Sequence, residues 1–166
     1  TRSLGARFLE LEGRTRAARG EYEAAQAVLQ AGHDIAEEAG LEHLAEQLDA
    51  KIGVALLHQG RFSDAKKRLE DGLTRARARE DQRSEADLLG HVGLVHAAQG
   101  HDAEAAACLR EAMEMAEARG FRGDLERWSG ELGRLLSDLG DHEAAEAHLL
   151  EALDLAAETG SRQGEA

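Results

Sequence analysis

The stretch Ser137–Gly160, SDLGDHEAAEAHLLEALDLAAETG, decides the fold. Nearly every residue in it favours helix, yet a glycine interrupts it at Gly140. Steps of forty residues back from Gly140 land on Gly100, Gly60 and Gly20. The same step from Gly133 lands on Gly93, Gly53 and Gly13. From Gly160 it lands on Gly120 and Gly40 and misses once, at Glu80. A fixed period of roughly 20–50 residues marks a solenoid or array, whose units bury their apolar faces against one another.

Each unit reads as two helices of about 17 residues joined by short turns. In the last unit Ala145, Leu149, Ala152, Leu155 and Ala156 recur at spacings of three and four and form one apolar stripe. Ala25, Leu29, Gly32, Ile35 and Ala36 repeat it, as do Ala105, Leu109, Ala112, Met115 and Ala116. The second unit keeps Ala65, Leu69, Gly72 and Ala76 but sets Arg75 at the stripe's edge. Gly140 and its equivalents are expected just past a helix end, where a left-handed residue lets the last carbonyls be satisfied. Asp141 then caps the next helix. The Gly13–Gly53–Gly93–Gly133 ladder falls in mid-helix, which costs about 1 kcal/mol per glycine against alanine. Close approach of the partner helix is the expected compensation. The predicted helices cover residues 2–19, 22–39, 42–59, 62–79, 82–99, 102–119, 122–139 and 142–159.

Composition agrees with an all-helical chain: no proline, 3% aromatic residues and 42% hydrophobic residues in 166. No run of 18 apolar residues and no charged-then-apolar leader occurs, so neither a membrane span nor a signal peptide is expected. The single cysteine, Cys108, has no partner for an internal disulfide, and a cytoplasmic location is expected. The net charge of −13 is uneven: −2 over residues 1–40, +1 over 41–80, −5 over 81–120 and −7 over 121–160. An acidic C-terminal half repels a phosphate backbone, so nucleic acid is not an expected ligand. Arg61, Lys66, Lys67, Arg68, Arg75, Arg77 and Arg79 form one basic cluster, expected to be a solvated helix face.

The pattern Gly133, Gly140, Ala145, Leu149, Ala152 resembles the tetratricopeptide repeat in residue type and spacing. Tyr22 and Phe62 hold the aromatic place after the turn; Asp102 and His142, in the other two units, depart from it. A forty-residue period is similar to the long-helix subclass of bacterial signalling and transcription regulators. The resemblance implies an all-α solenoid of αα-hairpins in a right-handed superhelix. Its four repeats are 1–40, 41–80, 81–120 and 121–160, with 161–166 opening a fifth, and the chain reads as a fragment of a longer protein.

Little in the sequence suggests catalysis, and an enzyme is not expected. The stretch His142–His148, HEAAEAH, lacks the second histidine four residues on that a zinc helix needs. His142 with Glu146 reads as turn and surface, and no metal or cofactor is expected. His91 and His96 diverge around a helix, Cys108 reads as packing, and Trp128, in register with Phe8, Leu48 and Leu88, as core.

The resemblance places a binding groove on the first helix of each pair. Counted from the mid-helix glycines, its lining residues are Arg7, Glu10 and Arg14; Gln47, Val54 and Leu57; Asp87 and Leu94; Arg127 and Arg134. Ala17, Ala50, Gly90, Ala97, Gly130 and Ser137 fill the remaining places. Arginines at both ends and an apolar middle fit a ligand with an apolar centre and an acidic end. They also fit simple neutralisation of nearby carboxylates. The expected function is a protein–protein interaction module that binds a peptide or protein segment in this groove. The alternative is the ligand-sensing segment of a bacterial regulator, favoured by a closed pocket rather than an open groove. Self-association through exposed solenoid ends is a third expectation.

Overall fold

The computed structural model describes residues 1–164, with side chains to residue 158. Its described residues form eight α-helices and no strand: α1 (Arg2–Ala18), α2 (Tyr22–Glu38), α3 (Glu42–His58), α4 (Phe62–Ala78), α5 (Gln82–Ala98), α6 (Asp102–Arg119), α7 (Arg122–Asp138) and α8 (His142–Gly164). None is long and apolar enough to cross a membrane. The chain divides into two compact units, Thr1–Ser84 and a second beginning at Glu85.

The joints are nearly identical and recur every twenty residues. At the first, the N–H of Gly20 donates to the carbonyl of Ala17 (2.9 Å) and that of Glu21 to Arg16 (3.0 Å). This doubly bonded left-handed stop consumes two orphan carbonyls at the helix end. The same pair of bonds closes α2, α3, α4, α5, α6 and α7. Six of these joints use glycine with φ between +66° and +83°. The exception is Glu80, at φ +56°, the place where the glycine period misses. Asp81 and Asp141 cap the helices that follow, accepting from the N–H of Ser84 (3.1 Å) and Ala144 (3.2 Å).

The last helix differs from expectation. It runs through Gly160 to Gly164 instead of stopping at residue 159. Glycine permits the left-handed stop without imposing it, and among the described residues no helix follows α8 to hold a turn there.

The mid-helix glycines are contact points. A Cβ on Gly13 would fall 2.5 Å from Leu29, one on Gly53 2.6 Å from Leu69, and one on Gly133 2.8 Å from Leu149. On Gly93 it would meet Leu109 at 3.1 Å and the Ala105 carbonyl at 3.2 Å. The partner helix thus approaches as expected, led chiefly by one leucine side chain sixteen residues on. In unit 1 the core gathers around Leu29, Leu48, Ile52 and Leu69; in unit 2 around Leu88, Val95, Leu109, Trp128 and Leu132.

Candidate binding cleft

In unit 1, α1 and α3 stand on either side of an open cleft of about 580 Å³. Leu29 and Ala55, both buried, lie at its base, with Leu11, Ala17 and Val54 along its walls. Two cations reach it. Arg14 is exposed and makes no ion pair among the described residues. Lys51 is tethered: its ammonium lies 3.1 Å from the Glu10 carboxylate and 3.4 Å from the Gln47 carbonyl. A cleft of this size, apolar with a few polar groups at its edge, has the usual make-up of a ligand site.

Of the groove residues read from the sequence, Arg14, Ala17 and Val54 line this cleft. Glu10 and Gln47 stand behind it as the anchors of Lys51. Arg7 is exposed and Leu57 half-buried; neither lines the cleft. Leu11, Thr15, Ala18 and Lys51 do, and the sequence reading missed them. Leu11 and Lys51 hold the same place, two residues before the mid-helix glycine, so the cleft wall is turned by one position from the inferred set. The available signal was that Leu11 lies three residues before Arg14, on the same side of the helix.

Unit 2 uses its groove residues differently. The Arg127 guanidinium sits 2.7 Å from Asp87 and 3.8 Å from Asp124, and lies 5.1 Å from the centre of the Trp128 ring. His91 donates to the Asp87 carbonyl (2.8 Å) and meets Trp128 edge-on at 5.0 Å. Trp128 is fully buried against Gly90. Arg134 is held by Glu131 one turn away, and that bond raises its pKa further. Leu94 is half-buried. Both arginines therefore neutralise neighbouring carboxylates, one of the two roles open to them.

The basic cluster on α4 departs from a purely solvated face. Arg61 pairs with Asp64, and Lys66 lies 3.8 Å from Glu70, as expected on a surface. Arg68 and Arg75, however, both reach the carboxylate of Asp49, which is fully buried on α3 and also lies 3.1 Å from His33. Arg79 pairs with buried Glu46 and, at 3.0 Å, with Glu42.

His43, Glu46 and Asp81 bring ligand atoms within 4.8 Å of one another. These groups already serve each other. The Asp81 carboxylate lies 2.9 Å from His43 and accepts from the Ser84 hydroxyl (3.0 Å), while Glu46 faces Arg79. Burial pushes the Asp81 carboxyl up, but the Ser84 N–H, His43 and the Ser84 hydroxyl outweigh it and leave its pKa lowered. A cation here would have to displace Arg79.

Residues 86–118, covering most of α5 and of α6, and residues 130–159, from mid-α7 into α8, each match the tetratricopeptide repeat family. The chain carries tetratricopeptide repeats. Solved structures share the fold. The Rap conjugation gene regulator of the plasmid pLS20, in complex with the Phr* peptide, superposes with a TM-score of 0.85 at 21% identity, over 95% of this chain and 43% of that one. A Rap protein complexed with Competence and Sporulation Factor gives 0.84 at 19%, over 95% and 44%. Aspartyl phosphate phosphatase F from Bacillus subtilis gives 0.79 at 14%, over 96% and 42%. The chain thus spans less than half the length of these structures. No curated protein matches it in sequence. The matched segments place the tetratricopeptide hairpins as α5–α6 and α7–α8, and unit 1 repeats the same phase with α1–α2 and α3–α4.

Proposed function

We propose that this chain is a non-catalytic interaction module that takes a peptide or protein segment against its first helices, with the α1–α3 cleft of unit 1 as the seat. The observation that carries this reading is the pairing of an apolar base, Leu29 and Ala55, with an uncommitted cation, Arg14, at the edge. A segment that inserts one large apolar side chain and sets a carboxylate beside it satisfies both parts. The peptide complex of the Rap conjugation gene regulator supports a peptide as the ligand class.

A second reading makes the chain the sensing segment of a regulator. Its support is the regulator named in the same structure, whose fold this chain shares. The cleft is open rather than closed, which favours the interaction module. Unit 2 offers a secondary seat at Arg127 and Arg134, where a ligand carboxylate competes with Asp87 and Glu131.

A displayed peptide library enriched on the 166-residue protein tests the reading. Enriched peptides should carry Asp or Glu beside a large apolar residue, and Arg14→Glu should weaken them by about 2 kcal/mol or more. Arg14 is exposed, so melting should be unaffected. Binding that survives Arg14→Glu and Val54→Glu, yet is lost on changing Lys66 and Lys67, would move the site to α4.

A further inference from the structure

The repeat does not call for a buried acid where α3 meets the joint between α4 and α5. Glu46 is 1% exposed, whereas the residues in register with it in the flanking repeats, Ala6 and Ala86, are buried and apolar. Asp81 stands in the register of Leu41 and Phe121, and His43 in that of Ser3 and Arg83. Histidine, glutamate and aspartate hold these three places in one repeat of the four.

Their arrangement leaves room for a second kind of partner. His43 and Glu46, three residues apart on α3, share one face. Their ligand atoms and that of Asp81 lie within 4.8 Å of one another. One Glu46 oxygen faces Arg79; the other, Oε2, is buried and meets no hydrogen-bond donor among the described residues. A buried carboxylate oxygen left without a donor is costly, and a metal ion satisfies it. Asp81 offers Oδ2, 2.9 Å from Nδ1 of His43, while its Oδ1 caps α5 and need not move. Across the ring, the Gln47 amide lies 3.1 Å from Nε2 of His43, the outer contact that orients a metal-ligating imidazole. Arg79 has a second carboxylate, exposed Glu42 at 3.0 Å, to retain when it leaves Glu46. With His43 neutral, two carboxylates against one guanidinium leave a negative charge that a divalent ion answers in full.

We propose that His43, Glu46 and Asp81 bind a zinc ion, which displaces Arg79 from Glu46 and ties α3 to the joint before α5. An imidazole with two carboxylates is a zinc donor set, and three protein ligands leave a fourth place for water or the Ser84 hydroxyl. Magnesium and calcium take oxygen ligands and are disfavoured by the imidazole. The joint so held is the one built on Glu80, whose φ of +56° no glycine relieves.

Calorimetric titration of the 166-residue protein with Zn²⁺ should show one ion bound per chain, and Zn²⁺ but not Mg²⁺ should raise the melting temperature. His43→Ala and Asp81→Asn should each weaken the site by more than about a hundredfold, since losing an outer partner alone costs about 10–100-fold. His43 is half exposed and asparagine still caps a helix, so circular dichroism should report an intact fold. The decisive variant is Arg79→Met. It should tighten Zn²⁺ by about tenfold or more, because it removes the cation that competes for Glu46. Its melting temperature should fall without zinc and recover with it, as the stranded Glu46 gains the metal. A protein that takes up no Zn²⁺ overturns the proposal. So does uptake that survives His43→Ala, which places the ion at another histidine, or an affinity that Arg79→Met leaves unchanged, which removes Glu46 from the ligands.

Discussion

The hairpins α3–α4 and α5–α6 differ by one residue in length and share the same joints and the same mid-helix glycine, yet they fill one set of positions with opposite chemistry. Asp49 on α3 stands where α5 has Leu89, and Glu46 where α5 has Ala86; all four are buried. Facing them, Arg68 and Arg75 on α4 replace Cys108 and Met115 on α6. The backbone frame is thus indifferent to whether its interior is ionic or apolar, provided every buried charge is answered. Asp49 needs two guanidiniums and the His33 imidazole because a fully buried carboxylate loses its hydration. Leu89 needs no such partners. Hairpin geometry is set by glycines and joints, and the residue chemistry inside it is free to vary.

The most severe break is to strand the acid. Arg68→Met with Arg75→Met leaves Asp49 buried with only His33 beside it, and chemical denaturation should register a loss of about 3–5 kcal/mol. Adding Asp49→Leu to that pair converts the site toward the α5–α6 chemistry. The triple variant should recover most of the loss, since apolar replacement of a whole buried ionic group is commonly neutral or stabilising. If it is as unstable as the double variant, the two hairpins are not interchangeable frames.

A smaller contrast concerns the glycines. A methyl at Gly53 would overlap buried Leu69, whereas at Gly93 the nearest atoms stand at 3.1 Å or beyond. Gly53→Ala should therefore cost about 1–3 kcal/mol. In Gly93→Ala the milder crowding is offset by the helix propensity gained, about 1 kcal/mol. Equal melting temperatures for the two variants would remove the packing argument from the ladder.

The smallest effect lies at the joint between α4 and α5. Glu80 adopts the left-handed conformation that glycine holds at the other six joints. That conformation costs an L-residue about 1–2 kcal/mol. Glu80→Gly should raise stability by about 1 kcal/mol, less the entropy glycine adds to the unfolded chain. A lower melting temperature would show that the glutamate side chain stabilises the joint.

Much of the fold was legible because it is local. Helix stops depend on which residue tolerates positive φ, and the stops at Gly20, Gly60, Gly100 and Gly140 could be read one by one. Even the missing glycine at Glu80 was visible as a gap in the period, though its backbone keeps the turn because the neighbouring helices and the bonds to Arg77 and Ala76 impose it. The stripe residues were legible too, because helical spacing determines which side chains share a face.

The candidate site was legible only in part. Arg14 and Val54 could be placed on the first-helix face by counting from the glycines, but the rotation that brings Leu11 and Lys51 to the cleft could not. Arg127 and Arg134 looked equivalent to Arg14 in the sequence; Asp87, on another helix, claims Arg127, Glu131 one turn back claims Arg134, and nothing comparable claims Arg14. By itself, then, the sequence determined the period, the helix ends as far as α7 and the apolar stripes, since these follow from φ, ψ and spacing within one helix. Which charges are spent between helices, as Arg127 on Asp87 and Arg68 and Arg75 on Asp49, and which remain for a ligand was decided by tertiary structure, because such pairing depends on distances between helices that no spacing along the chain encodes.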